Sequence, residues 1–256
     1  MKSISIIGYG WLGKACAEYL YAQSYAVKVT NRNAGIVGLS YPIFAWKLGE
    51  QFPVEASSDV VIISIAENEN HLEHYHELYR DLEKYGVQKI IFISSTSIYN
   101  GMVGEVSETD EILLKESSVA RKESTLNNTE LDFVILRLSG LVGPNRNPAR
   151  FLAGKKNVAN PNNKINLVHQ TDVIRFIEQC IQQDVVGVFN VCSSEHPTRE
   201  EFYTKVCLHQ SLEAPLFAID TEETRWVNNA KSKSELNFEY QYDNLLEYYT
   251  KSEASE

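Results

Sequence analysis

The sequence is short of positive charge. Lysine and arginine together number 24 against 34 acidic residues, a net charge of -10. Such a chain repels polyanions, which excludes general nucleic-acid binding and adsorption to anionic membrane surfaces, though not a local basic pocket for a small phosphate. Long apolar runs are also missing. Residues 4–7, the longest early run, are too few for a signal-peptide core, and no stretch is long enough to span a bilayer. There are only four cysteines (Cys16, Cys180, Cys192, Cys207), none in a C-x-x-C spacing. Three lie in apolar, element-like segments, so buried free thiols and a reducing, cytoplasmic setting are expected. Repeats, low-complexity tracts and long linkers are absent as well. A chain of 256 residues with 43 % hydrophobic and 23 % charged residues is left as an ordinary globular protein, long enough for a sizeable core.

Short apolar runs alternate with helical patterns over the first half. Residues 3–7, 26–30, 59–66, 89–95 and 132–139 are rich in valine and isoleucine and apolar nearly throughout, as strands buried on both faces are. Helical patterns lie between them at roughly 11–23, 70–85 and 116–128. The first places Leu12, Ala15, Cys16, Tyr19 and Leu20 on one face. This alternation predicts an α/β protein with a doubly wound, Rossmann-type parallel sheet. Further on, 170–183 reads as a helix with Thr171 as its N-cap, 187–191 as a strand, and 198–209 as a helix opened by a Thr198/Glu201 capping box. We expect one domain over 1–256, with 144–165 and 195–250 forming a small substrate-binding lobe.

The first strand runs into "GYGWLG". Gly8 would make the tight turn, Gly10 would admit a pyrophosphate to the backbone, and Gly13 would let the helix pack closely on the strand. The helix N-terminus then offers N–H groups and a positive dipole end to the phosphates. Trp11 and Leu12 between the glycines, Asn31 at the second strand's end, and Ala66 and Ser94 complete the expected cofactor-side set. The second strand ends "VTNRN". It has no carboxylate to bind a ribose 2'-hydroxyl, and Arg32 lies where a 2'-phosphate would be met, so NADP is favoured over NAD.

"IIGYGWLGKACAEYL", "KIIFISSTSIYNG", "VILRLSGLVGP", "LVHQTDV" and "GVFNVCSSEHPTREEFY" occur in that order. Together they resemble the NAD-dependent epimerase/dehydratase family, the extended short-chain dehydrogenase/reductases, over about residues 3–210. The resemblance implies a Rossmann sheet with a small C-terminal lobe. It also implies hydride transfer between nicotinamide and a sugar or other alcohol carbon, and by analogy a homodimer. Its catalytic Ser/Thr falls on Ser95, which would polarise the substrate oxygen, with Thr96, Ser97 and Tyr99 lining the cleft.

The family's Tyr-x-x-x-Lys pair is not present. No tyrosine occurs between Tyr99 and Tyr203. One register puts Val119 and Glu123 in the Tyr and Lys places; a shift by one puts Ser118 and Lys122 there. Tyr99 and His169 are the candidate stand-ins for acid/base work, and Lys122 could keep the ribose-side role. Arg137, inside a strand pattern, reads as a paired structural arginine. Arg146 and Arg150, after the Gly-Pro turn, could meet a carboxylate or phosphate of the substrate. His71 and His74 are one turn apart, but two histidines on a solvated helix do not make a zinc site. Two functions follow: an atypical NAD(P)-dependent oxidoreductase or epimerase of a small polar, in one form anionic, substrate, or an NADP-binding redox sensor without turnover.

Overall fold

Strands that are apolar on both faces must be covered on both sides. The structure is a computed structural model whose described residues are 2–33, 38–65, 72–219 and 224–251. Its strands are β1 (Ser3–Ile7), β2 (Ala26–Asn31), β3 (Ile43–Ala45), β4 (Val60–Ile63), β5 (Lys89–Ser95), β6 (Gly104–Val106), β7 (Asp132–Leu138), β8 (Gly140–Val142), β9 (Leu167–His169), β10 (Gly187–Val191) and β11 (Arg225–Val227). Seven of them form one sheet in the order β10-β7-β5-β4-β1-β2-β3, and β6 with β11 and β8 with β9 form two short ribbons. The pairs β1–β2, β2–β3, β1–β4 and β4–β5 are parallel. The chain leaves β1 towards β2 and β3, then returns to the other side of β1 with β4. This reversal of strand order makes the switch point at which ligands of doubly wound sheets bind. The Rossmann-type α/β fold read from the sequence is therefore the one observed.

The helices are α1 (Trp11–Ala22), α2 (Glu73–Lys84), α3 (Ser118–Ser124), α4 (Ala149–Leu152), α5 (Gln170–Gln182), α6 (Arg199–His209), α7 (Ala230–Leu236) and α8 (Leu245–Lys251). The boundaries of β1, β5 and β10 match the sequence reading; others differ for local reasons. The third expected strand keeps only Val60–Ile63, and the 116–128 helix is α3 followed by a 3-10 turn over Thr125–Asn128. β3 was not foreseen because its three residues are too few to show a period. Thr171 is not the cap of α5: it lies in the first turn, and its N–H donates to His169 Nδ1 at 3.2 Å. Thr198 does cap α6, its Oγ1 accepting from Glu201 N–H at 3.2 Å, while the Glu201 carboxylate takes Lys205 at 2.7 Å.

The chain divides into two compact units. One comprises residues 1–98, 114–137 and 177–188; the other comprises 99–113, 138–176 and 189–256. In the first, α2 lays Tyr75, Leu78, Tyr79 and Leu82, one helical stripe, against Ile7, Val61, Ile63, Ile90 and Phe92. In the second, Phe202 and Val206 of α6 and Leu245 and Tyr249 of α8 close over Val142, Ala149 and Leu152. All four cysteines are free and buried. Burial pushes the thiols of Cys16, Cys180 and Cys192 up to about 12, which leaves them protonated and inert.

Candidate functional site

The glycine turn is built by contact on two of its three glycines. Gly8 has φ +104°, and a Cβ there would lie 2.3 Å from Ser64 O, just past β4. A Cβ on Gly13 would lie 1.9 Å from Gly8 O, so the first turn of α1 rests directly on the loop. Gly10 is different. It is exposed, it is the N-cap of α1, and a Cβ there meets nothing within 4 Å. Gly8 and Gly13 are glycines because the protein fills the space beside them. Gly10 keeps open the space into which the N-terminus of α1 points, and no side chain caps that terminus. The residues present thus fit a pyrophosphate.

At the end of β2, Thr30 is buried and Asn31 accepts from Trp46 N–H through its carbonyl at 2.9 Å. Arg32 is exposed. Trp11 is half-buried and Leu12 is buried under α1. Ala66 and His71 lie outside the described residues, and His74 packs its ring against Gly49. Among the described residues no three His, Cys, Asp or Glu side chains cluster as metal ligands. One feature escaped the sequence reading: Tyr9, between Gly8 and Gly10, shares a 2.9 Å hydrogen bond with Tyr41 Oη, tying the turn to the segment before β3. Burial holds the Tyr41 phenol well above the usual tyrosine range.

At the C-terminal end of β5, Ser95 is half-buried, and its Oγ accepts the Ser97 N–H at 3.1 Å. That bond orients the hydroxyl and leaves its own proton without an acceptor among the described residues. Thr96 is buried and Ser97 half-buried. Ser94 Oγ donates to Glu123 Oε1 at 2.5 Å. Glu123 in turn takes Arg137 through Nε at 3.1 Å and Nη2 at 2.8 Å, both residues being buried. Arg137 is the paired structural arginine expected of it. In the register that sets Glu123 in the Lys place, that place holds a carboxylate committed to Arg137. Lys122, the alternative, is half-buried.

Within the second unit Tyr99 has no exposed surface, and its hydroxyl donates to Asn190 Oδ1 at 2.8 Å. The phenol is a core strut, not a group presented to a cleft. His169 needs the same correction as an acid/base stand-in. It is 4 % exposed and packed on Tyr242 and Tyr248, with ring centroids 4.0 and 5.6 Å away. Its Nδ1 serves as the cap of α5. Asp172 beside it accepts the N–H groups of Gln241 at 2.7 Å and Tyr242 at 2.9 Å, and Arg175 at 3.2 Å. Arg146 and Arg150 are exposed. Neither lines the pocket of about 400 Å³ in this unit, whose cations are Lys164 and Arg225.

Burial pushes His169 down from 6.5 to about 4. The folded state therefore resists a proton that the unfolded chain accepts. This contribution to stability is complete above pH 6.5 and is lost as pH falls towards 4, at about 1.4 kcal/mol per pH unit. Burial lowers His196 as well, with the same sign. The lowered carboxylates Asp59, Asp184 and Asp243 act only below this window, since their ordinary value is 3.8. His169→Asn keeps a cap for Thr171 N–H and removes the titration. In denaturant titrations at several pH values it is expected to flatten the loss between pH 6.5 and 4, leaving the parts due to His196 and, with opposite sign, to Asp172, whose carboxyl burial raises.

The NAD(P)H-binding family matches residues 54–184. The chain is 32 % identical to protein YeeZ of Escherichia coli K12 over 272 aligned positions, covering 96 % of this chain and 98 % of YeeZ. This chain belongs to the NAD(P)H-binding family. As an NAD(P)H-binding protein it shares its fold with MoeE5, solved in complex with UDP-glucose and NAD. That likeness has a TM-score of 0.80 at 17 % identity and covers 96 % of each chain. It also shares the fold of UDP-N-acetylglucosamine 4-epimerase from Bacillus cereus, with a TM-score of 0.72 at 17 % identity over 98 % of each chain. The family match begins after the glycine turn, so the role of that turn rests on its own geometry. Among the described residues no helix is long and apolar enough to cross a membrane.

Proposed function

We propose that this NAD(P)H-binding protein is an oxidoreductase or epimerase of a small polar substrate that works without the Tyr-x-x-x-Lys pair. The observation that carries the cofactor side is the open space at Gly10 between two glycines whose space is filled. Gly8, Gly10 and Gly13 would hold the pyrophosphate on α1, and Arg32 would favour NADP through its 2'-phosphate. The bound nicotinamide would supply or accept hydride. Ser95 would polarise the substrate oxygen through a hydrogen bond from its hydroxyl, held in direction by Ser97 N–H, with the transferred proton supplied by a non-standard donor or water. Tyr99 and His169 have no part in this chemistry: one hydroxyl is committed in the core, and the other ring is neutral and buried. Lys122 remains the candidate ribose-side cation.

The test is a titration with NADPH and NADH, followed by turnover assays over sugars, keto acids and aldehydes. Arg32→Ala is expected to weaken NADP about tenfold while sparing NAD. Ser95→Ala is expected to lower turnover by 10² or more with cofactor affinity unchanged. An Arg32→Ala protein with unaltered preference removes the NADP assignment. Tight cofactor binding with no turnover in any assay leaves the sensor reading instead.

A further inference from the structure

Register fixes what meets at the C-terminal edge of the first unit's sheet. Ile7 pairs with Thr30 on one side and with Ile63 on the other, and Ile63 pairs with Phe92. Gly8 and Gly10 follow Ile7 by the same few positions by which Ser94 and Ser95 follow Phe92. The turn and the two serines therefore stand at one level, with β4 between their strands. Two strand spacings are about 10 Å. Arg32 follows β2, on the opposite side of β1. A dinucleotide seated by its pyrophosphate at Gly10 thus has one ribose on the Arg32 side and the other on the side of β4 and β5.

The protein gives the two serines opposite polarity. Ser95 Oγ accepts Ser97 N–H at 3.1 Å and keeps a proton to donate. Ser94 Oγ donates to Glu123 Oε1 at 2.5 Å, so its proton is committed. What Ser94 retains is its lone pairs, and no donor meets them among the described residues. A hydroxyl bonded to a carboxylate is also the stronger acceptor. Glu123 is held in place by Arg137 of β7, through Nε at 3.1 Å and Nη2 at 2.8 Å. The carboxylate is buried and Ser94 half-buried, so the member of the pair open to a ligand is the hydroxyl. Neighbouring residues of a strand face opposite sides, so Ser94 and Ser95 do not compete for one ligand atom.

We infer that Ser94 accepts a hydroxyl of the nicotinamide-side ribose, with Glu123 as the positioning residue that fixes Ser94 as an acceptor. An acceptor-only oxygen needs a donor, and the ribose hydroxyls are the first donors beyond the pyrophosphate on that side. A ribose diol both donates and accepts, so an acceptor at Ser94 is compatible with a cation at Lys122. In the register that sets Glu123 in the Lys place, that place holds a carboxylate that acts on the ribose through a serine. This assignment deepens the cofactor reading above and rests on it.

The test is calorimetric titration with NADPH, NADH and the 3-acetylpyridine analogue of whichever binds tighter, which lacks the carboxamide N–H. ADP and 2',5'-ADP supply the adenosine end alone. Ser94→Ala keeps the Glu123–Arg137 pair. It is expected to weaken NADPH, NADH and the analogue alike by about tenfold, and to leave ADP and 2',5'-ADP unchanged. Glu123→Gln is expected to weaken the dinucleotides by a similar factor and to add nothing further in the double variant Ser94→Ala/Glu123→Gln, since it acts through Ser94. Should Glu123→Gln not fold, Ser94→Ala carries the test alone. Unaltered dinucleotide affinity in Ser94→Ala, a loss shared with the adenosine fragments, or a loss that vanishes with the 3-acetylpyridine analogue overturns the inference. Additive losses in the double variant overturn the positioning role of Glu123. A native protein that binds neither NADPH nor NADH removes the cofactor reading itself, whereas native binding unmoved by Ser94→Ala removes only the Ser94 assignment.

Discussion

Replacing Glu123 by alanine is expected to lower the free energy of unfolding by about 3–5 kcal/mol, the range for breaking one side of a buried ion pair. Glu123 and Arg137 are each 7–8 % exposed. Removing the carboxylate leaves a buried guanidinium without it and strips the acceptor from Ser94 Oγ. The loss is large for a second reason. α3 is only seven residues long, and Glu123 is its buried side chain. The helix is held to β7 and to the end of β5 by charge, with no apolar stripe to take over. Arg137→Met should cost a similar amount. The double variant Glu123→Leu/Arg137→Met should recover much of it, since an apolar pair of similar volume often equals or exceeds a buried ion pair. Urea unfolding of the two single variants and the double variant checks all three values. Single-variant losses below about 1 kcal/mol would mean that the pair is solvated and that α3 is attached by other means.

The second large effect separates two glycines three residues apart. Gly13→Ala must displace Gly8 O, which lies 1.9 Å from the new methyl group. Neither the loop backbone nor the helix start can move far, so a loss of about 3 kcal/mol or more is expected. Gly10→Val adds three carbons, its Cβ in open space, at φ -89° and ψ -164°, a backbone conformation that any residue adopts. Its stability should stay within about 0.5–1 kcal/mol of the native protein. NAD(P)H binding should nevertheless disappear, because the added carbons occupy the space meant for the pyrophosphate. Thermal unfolding and a fluorescence titration with NADPH, run on both variants, give the contrast. Full NADPH affinity in a folded Gly10→Val protein would place the dinucleotide elsewhere.

The strands were legible because their evidence is local. Isoleucines on both faces at 3–7 and 89–95 permit little but a strand covered on both sides, and both boundaries are met. The glycine turn was legible for the same reason: its spacing is a demand of backbone geometry within six residues. β3 was not, because three residues carry no period. Thr171 was misread as a cap because the competing acceptor, His169 Nδ1, belongs to the preceding strand, and a ring nitrogen is rarely counted among caps.

The candidate site divides along the same line. Composition and pattern alone determined an acidic α/β protein with a phosphate-ready turn, and the missing tyrosine removed the usual proton carrier. Tertiary structure alone decided which polar groups are spent and which are left. Tyr99 and His169 could have been acids by type; burial among Asn190, Tyr242 and Tyr248 settles them as struts. Ser94 and Ser95 are alike in the sequence; the distant Glu123 and the nearby Ser97 N–H give them opposite polarity. Sequence spacing encodes what a residue does to its own backbone. The solvation and partners of a side chain depend on whatever distant segment packs against it, and for this chain only the fold supplies that.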